Sequence, residues 1–278
     1  MFKQLLIVSA LSLITQLLIG QTISGMVYET DGEGIPYVNI GVVNRGIGTV
    51  SDAMGNYRLN IDSAKINDTL MLSSLGYKPI KIAVSELRKE AQPLDFLMEQ
   101  EFISLNEVTI IPKKVTPVIL GNTFKSPGIQ AGFTSDDLGS EAGTLMKTRK
   151  NRKYYLKTAG FYVAKCEYDS ILFRLNVYDY SKGEIGENLL PRPVYVLVRK
   201  GDFHKQINLN DYYIETENDF VVTLEWIEDL ADKQEQFMFC TGLMGGGILW
   251  RKTSQDAFRK LSGFGVSIYC EADLEVID

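Results

Sequence analysis

The sequence predicts an all-β protein in which a seven-stranded sandwich is followed by a jelly-roll-like β-sandwich. Tyr and Phe, which favour strands, number 14 and 13 among 278 residues, while Pro numbers only 8. Short runs with apolar residues at alternate positions recur along the chain, and clusters of Gly, Asn, Asp and Pro separate them. Helical patterns are confined to two short segments, 228–233 and 255–261.

Residues 1–20 have the pattern of a secretory signal peptide. Lys3 supplies the positive charge, an apolar stretch extends from Leu5 to Ile19, and Gly20 is a small residue at the cleavage point. The stretch is shorter and more polar than a membrane span, which needs about 20 apolar residues. We therefore predict an exported protein with no transmembrane span after the signal is removed.

Residues 21–111 are predicted to form the first sandwich. Apolar residues alternate with polar ones over 23–27, 57–61 and 94–98, and further strands are expected near 35–43, 69–73 and 79–84. About seven strands, with a turn roughly every ten residues, are typical of a small β-sandwich. Four glycines are expected where the chain turns or bulges with positive φ, namely Gly25, Gly34, Gly48 and Gly55.

Five ordered motifs in this region resemble the carboxypeptidase-like regulatory domain. They are Ile23-Ser24-Gly25-Met26-Val27, Gly34 to Ile40, Gly48 to Tyr57, Asp68-Thr69-Leu70 and Ser74 to Tyr77. The resemblance implies a transthyretin-like (prealbumin-like) sandwich. In exported proteins of the Bacteroidetes type this domain is a non-catalytic accessory module that follows a signal peptide. The resemblance therefore implies a location in the periplasm or at the outer-membrane surface.

The next segment, Ser104 to Ile111, resembles the residues that join this domain to the plug in TonB-dependent receptors. The sequence continues for 167 residues after Ile111. This number is too small for the membrane-spanning part of a large receptor, whose strands each need about 10 residues. We therefore do not predict a receptor.

The second half is predicted to contain an irregular linker, 112–138, and a jelly-roll-like sandwich, 139–278. Eight or nine antiparallel strands are expected there, and the strongest alternation falls at 171–177, 194–198 and 220–226. Arg174, Asn176, Thr223 and Glu225 lie on the polar faces of these strands. This half is similar to the C-terminal region of Bacteroidetes proteins with the same N-terminal domain, and the similarity implies an architecture without an activity.

Composition excludes several classes of function. A net charge of −6 argues against nucleic acid as the partner. A zinc carboxypeptidase needs at least two His ligands, and this chain has only His204, which is expected at a hairpin tip. We therefore predict no metal site, no cofactor and no enzymatic activity. Cys166, Cys240 and Cys270 allow one disulfide with one thiol, or three buried thiols, and their apolar context favours thiols.

The strongest hint of catalysis is the run Glu271, Asp273 and Glu275, which share one face if they lie on a strand. A similar strand carries the nucleophile and acid/base in jelly-roll endoglucanases. A retaining pair needs carboxyl groups about 5–5.5 Å apart, whereas the backbones of positions i and i+4 are about 13 Å apart. We favour the other interpretation, an acidic face that prevents association at a strand edge.

Two segments are candidate ion-binding sites. Five cations, Lys147, Arg149, Lys150, Arg152 and Lys153, form either a solvated hairpin tip or an anion-binding patch for acidic polysaccharide or lipid headgroups. Residues 134–141 carry oxygen ligands suited to Ca²⁺ but lack the spacing of an EF-hand. Asp31 and Asp52 are expected in turns that accept backbone hydrogen bonds, and a bound cation is the alternative.

We therefore expect a non-catalytic cell-envelope module that binds, or assembles with, a protein partner or a polysaccharide. The alternative hypothesis is a jelly-roll glycoside hydrolase that uses Glu271 and Glu275. The two hypotheses differ in whether the protein has an activity on β-glucans that the Glu271→Gln substitution abolishes.

Overall fold

The computed structural model describes residues 21–90, 92–101, 114–133, 138–228, 230, 235–243 and 246–276. The predicted signal peptide therefore lies outside the described residues. Within these ranges nearly every regular element is a strand, and the strands form four sheets around two separate hydrophobic cores, which we call the first and second domains. The all-β sandwich class predicted from the sequence is confirmed.

The first domain is a sandwich of a three-stranded and a four-stranded sheet. The strands are β1 (Thr22–Tyr28), β2 (Asn39–Val42), β3 (Ile47–Val50), β4 (Asn56–Asn60), β5 (Thr69–Ser73), β6 (Ile80–Ala83) and β7 (Phe96–Leu97). The sheets have the orders β4-β1-β7 and β3-β2-β5-β6, and a short helix, α1 (Val84–Leu87), follows β6. The described part of this domain thus contains the seven strands that were predicted.

Buried and exposed side chains alternate along the strands of the first domain, and the buried ones form its core. On β4, Tyr57 and Leu59 are buried while the residues on either side are exposed. They pack with Ile23 of β1 and with Leu70 and Leu72 of β5. Each such side chain contributes about 1.5–3 kcal/mol when it is fully buried.

The four glycines of the sequence motifs are needed mainly where two backbone segments pack closely together. Only Gly55 among the four has positive φ, so the expectation is wrong for the other three. A Cβ atom on Gly25 would lie 2.0 Å from the Leu94 carbonyl oxygen, and one on Gly34 would lie 1.9 Å from that of Met54. Any larger residue would therefore push these backbones apart.

The second domain is a larger sandwich of two sheets. Its first nine strands are β8 (Val115–Gly121), β9 (Gln130–Phe133), β10 (Glu141–Met146), β11 (Tyr154–Cys166), β12 (Ser170–Ser181), β13 (Glu184–Asn188), β14 (Val194–Arg199), β15 (His204–Asn208) and β16 (Glu215–Thr216). The remaining strands are β17 (Asp219–Trp226), β18 (Phe237–Leu243), β19 (Ile248–Arg251), β20 (Arg259–Leu261), β21 (Phe264–Val266) and β22 (Ile268–Glu275).

The seven-stranded sheet of this domain has the order β13-β12-β17-β10-β19-β20, and β14 also pairs with β12. The eight-stranded sheet has the order β21-β18-β11-β22-β8. In that sheet β15 and β16 also pair with β11, and β9 pairs with β18. Trp226 is fully buried between the sheets, where its ring packs edge-on against Tyr168, Phe133 and Phe173.

Three details of the second domain differ from the sequence-based expectations. The described ranges hold fifteen strands in place of eight or nine. β8 and β9 lie within the segment expected to be an irregular linker. Pro117 is tolerated in β8 because this strand is at a sheet edge, with β22 as its described partner. The segment 255–261 contains a loop and β20, and no helix.

Candidate functional site between the two domains

Four charged residues form a row across the outer face of the seven-stranded sheet. Cross-strand pairing places Arg174 beside Glu225, Glu225 beside Glu141, and Glu141 beside Arg251. All four side chains are buried, with exposure of 8% or less. The alternation of apolar and polar residues correctly predicts that Arg174 and Glu225 point away from the core. Their burial was not predicted, and the contacts of Arg174 with Tyr37 and Asn39 of the first domain contribute to it.

Short contacts join the charged groups of the row. Arg174 approaches the Glu225 carboxylate at 2.7 Å, and Arg251 approaches Glu141 at 2.7 Å and Glu225 at 2.9 Å. Asn176 donates hydrogen bonds to both carboxylates. Burial on its own would raise the pKa of Glu225, but Arg174 and Arg251 outweigh it and hold that pKa below its ordinary value. Glu225 is therefore an ionised partner of the arginines.

Arg174 also reaches the first domain. Its Nη1 donates to the main-chain carbonyl of Tyr37 at 2.7 Å, and its Nη2 donates to Oδ1 of Asn39 at 2.7 Å. Ser254 donates to the same Asn39 oxygen at 3.0 Å. One side chain thus holds the ionic row and the first domain together.

The loop 253–256 makes the second set of contacts between the domains. Gln255 donates to the Ser73 hydroxyl at 2.7 Å and accepts a hydrogen bond from the Asn44 amide through its carbonyl. Asp256 accepts from the Gly46 amide at 3.1 Å. A Cβ atom on Gly48 would lie 2.4 Å from the Ser254 carbonyl oxygen. The glycine therefore allows the two backbones to touch.

Tyr37 adopts an unusual backbone conformation at this interface. Its φ is +56°, in the left-handed region that costs a residue with a side chain about 1–2 kcal/mol. The carbonyl of this residue accepts from Arg174, and the ring packs edge-on against Tyr195 at 5.2 Å. Tyr37 therefore combines this strained backbone conformation with contacts to the second domain. Backbone strain of this kind is concentrated at functional sites.

A groove runs between the domains beside these contacts. One section has a volume of about 470 Å³, and its wall includes Tyr37, Asp52, Asn56 and Arg58 of the first domain and Ile227 and Glu228 of the second. A second section of about 300 Å³ shares Arg58, Thr49 and Leu138 with the first. Both volumes are in the range of small-molecule sites. The groove exists only when the domains are docked.

The groove contains charged and aromatic groups. Partial burial raises the pKa of Tyr37, and the nearby Glu228 and Asp52 carboxylates raise it further. Oε2 of Glu228 accepts from the Leu172 amide at 2.8 Å. Oδ1 of Asp52 accepts from the Met54 and Asn56 amides, which is the predicted turn structure.

The acidic run lies elsewhere, on the outer face of the eight-stranded sheet. Glu271, Asp273 and Glu275 occupy alternate positions of β22, as expected for one face. Asp273 lies 3.7 Å from Lys157, and Glu275 accepts from the Tyr155 hydroxyl at 3.1 Å. β22 pairs with β11 and β8 on its two sides, so the idea that these acids protect a strand edge is wrong.

The predicted basic patch is partly neutralised. The five cations lie between β10 and β11, which belong to different sheets, so this segment is a crossover and the predicted hairpin is wrong. Lys147 pairs with Asp219 at 2.6 Å, Lys153 pairs with Glu215 at 3.0 Å, and Arg152 donates to the Glu275 carbonyl. Arg149 and Lys150 are exposed.

The candidate cation sites have other roles or lie outside the described residues. Asp31 accepts from the Glu33 amide within its own turn. Residues 134–137 of the calcium candidate are not described, and Glu141 belongs to the ionic row. Among the described residues no cluster of three or more His, Cys, Asp or Glu is arranged to hold a metal ion.

The three cysteines are free thiols, Cys240 and Cys270 buried and Cys166 partly buried. Burial raises the pKa of Cys270 to about 12.

His204 is the first residue of β15 and follows a crossover between the sheets, so the hairpin-tip prediction is wrong. Its ring stacks on Tyr162, with centroids 4.3 Å apart, and its Nε2 lies 2.7 Å from the Tyr269 hydroxyl oxygen. Partial burial, together with the charge of Lys125, lowers the pKa of His204.

Residues 23–110 match the CarboxypepD_reg-like domain family. The resemblance inferred from the five motifs is therefore confirmed, and the first sandwich is a regulatory-like domain of this family. The matched segment corresponds to the first domain and supplies Tyr37, Asn56 and Arg58 to the groove.

The chain is also similar to TonB-dependent receptor SusC of Bacteroides thetaiotaomicron. The two are 31% identical over 90 residues, which is 32% of this chain and 8% of the receptor. Among solved structures, the T13 IBDV viral particle aligns with 92% of this chain and 62% of its own, at 9% identity and a TM-score of 0.21. Such a low TM-score carries no argument about the fold.

We expect Arg174→Ala to destabilise the protein by about 3–5 kcal/mol, because Arg251 then remains as the one arginine of the row for two buried carboxylates. It also removes both hydrogen bonds to the first domain. Equilibrium unfolding in urea measures the change in the free energy of unfolding. Lys78→Ala is the control, since Lys78 lies in an exposed pair with Glu99 and little change is expected. Equal effects of the two variants would contradict the role given to Arg174.

We expect Gly48→Ala to cost about 1–3 kcal/mol, because the added Cβ would overlap the Ser254 carbonyl. Hydrogen exchange should increase in the loop 253–256, which docks on the first domain. Gly186→Ala is the matched control in a strand, where a Cβ would make ordinary contacts of 3.4 Å or more. Unchanged exchange in the loop would show that the domains do not meet at Gly48.

We expect the single histidine to titrate below its ordinary pKa of 6.5 in an NMR pH series. Because the pKa is lowered in the folded state, its contribution to stability is complete above pH 6.5 and is lost as pH falls through the lowered value. Lys125→Ala should move the pKa upward. A pKa at or above 6.5 in the native chain would disagree with the packing of His204 against Tyr162.

Proposed function

Starting from a regulatory-like domain docked on a second sandwich, we propose that this chain is a non-catalytic binding or assembly module of the cell envelope. Its ligand is a protein partner or a glycan. The observation that carries the proposal is the groove between the domains, because residues of both domains line it. A ligand in this groove contacts both domains at once, so the two act as one binding unit.

The arrangement of the acidic residues supports a binding function over catalysis. Two buried carboxylates, Glu141 and Glu225, are paired with arginines. On β22, Asp273 pairs with a lysine, and Glu275 accepts a tyrosine hydroxyl. Glycoside hydrolysis by retention requires two carboxyl groups about 5–5.5 Å apart, and positions 271 and 275 on a strand are about 13 Å apart at the backbone.

The comparison with SusC and the predicted signal peptide support an envelope location. SusC is a TonB-dependent receptor, and the similarity covers the regulatory-like domain. No helix within the described residues has the length and apolar character needed to cross a membrane. We place the protein in the periplasm or at the outer-membrane surface as part of this proposal.

In-cell crosslinking of the tagged chain tests the proposal. A photo-crosslinking residue at Ala53, which is exposed on the groove wall, should capture an envelope protein or retain surface polysaccharide. The same residue at Lys81, exposed on β6 of the same domain, is the control. Capture that is equal at both positions, or absent at both, would contradict a binding function for the groove.

The enzymatic alternative has a separate test. We expect a Glu271→Gln/Glu275→Gln double variant to behave like the native chain in assays with β-glucans, because neither chain should release reducing sugar. Hydrolysis by the native chain that the Glu271→Gln substitution abolishes would overturn the non-catalytic assignment. Circular dichroism of the variant shows whether the fold is retained.

A further inference from the structure

We propose that the groove binds a saccharide chain, and that Arg58, Tyr37 and Glu228 recognise its hydroxyl groups. This inference rests on the proposed function and names its ligand class. The two sections of the groove meet at Arg58, so the binding surface extends to both sides of this side chain. An extended surface of this kind suits a chain of several sugar units.

The groove wall carries exposed polar side chains beside apolar surface. Among its apolar residues Ala53 is exposed, while Val50, Tyr57 and Ile227 are 5% exposed or less. Asn56 and Arg58, in contrast, are exposed on β4. These two exposed polar side chains can bind a polar ligand.

Arg58, Tyr37 and Glu228 have hydrogen-bonding capacity available in the described structure. No described residue accepts a hydrogen bond from the guanidinium of Arg58 or from the hydroxyl of Tyr37. Glu228 uses Oε2 for the Leu172 amide and retains Oε1. A guanidinium donates, a carboxylate accepts and a phenol does both. Since a sugar hydroxyl also donates and accepts, this set of groups matches the chemistry of a saccharide.

One aromatic ring, that of Tyr37, lines the groove, and a second ring packs against it. Tyr37 packs edge-on against Tyr195, and Tyr195 is 41% exposed. The apolar C–H faces of a sugar ring can rest on an aromatic face while its hydroxyls bond to polar groups. Aromatic rings with a small number of placed polar groups are the usual composition of a small-molecule site.

One strand holds both walls of the groove in place. Arg174 of β12 binds the Tyr37 carbonyl, and Leu172 of the same strand donates its amide to Glu228. The Tyr37 and Glu228 side chains therefore come from different domains but share one support. Such preorganisation reduces the cost of ordering these groups on binding.

Isothermal titration calorimetry of the full chain with three purified probes tests the inference. The probes are maltohexaose, cellohexaose and a hexasaccharide of galacturonic acid. We expect at least one to bind, and Arg58→Ala, Tyr37→Phe and Glu228→Gln each to weaken that binding about tenfold, the effect of losing one hydrogen bond to a charged or polar group. Lys81→Ala is the matched control and should bind like the native chain, because Lys81 is exposed on β6.

Each outcome decides between the two proposals. Binding that the three groove variants do not weaken would overturn the saccharide site while leaving a binding module with another surface. No binding of any probe, together with a protein crosslinked at Ala53, would overturn the saccharide inference and keep the proposed function. No binding and no crosslinked partner would overturn both. Circular dichroism of each variant confirms that it folds.

Discussion

The arrangement of this protein depends on one buried arginine. Arg174 is 5% exposed, forms an ion pair with Glu225 and donates to Tyr37 and Asn39 of the other domain. A buried guanidinium must find acceptors for its donors, because an unpaired buried charge costs several kcal/mol. The first domain supplies two of these acceptors. Its position on the second sandwich, and with it the shape of the groove, follows from this requirement.

The polar contacts between the two domains fix their relative orientation more than they strengthen their association. A buried ion pair gains little over an apolar contact of the same size, since desolvation offsets the attraction. Hydrogen bonds to Asn39 and Tyr37 are directional, however, and a displaced arrangement would leave two donors of Arg174 without their acceptors in the first domain. The contact of Gly48 with Ser254 adds a steric limit, because only a glycine allows that approach. Both features favour a single relative position of the domains.

Local patterns in the sequence predicted individual strands and the side of the sheet on which their side chains lie. Alternation identified the strand at 220–226 and placed Glu225 opposite Trp226, because side-chain direction on a strand depends only on position. The five motifs identified the first domain, since their residues carry the turns of that family. The sequence did not predict strand β11. Several strands pair with it along both of its edges, and its buried and exposed residues do not alternate regularly. β8 was missed because Pro117 signals a break, which an edge strand tolerates.

The sequence by itself therefore determined the all-β class and the family of the first domain, since these depend on residue types and short spacings. Only the tertiary structure decided that the polar face of the seven-stranded sheet is an interface. Charged residues on a strand look the same in the sequence whether they meet water or another domain. Arg174 and Tyr37 are 137 residues apart, and only the folded chain brings them within hydrogen-bonding distance. The groove, which residues of both domains line, results from that contact.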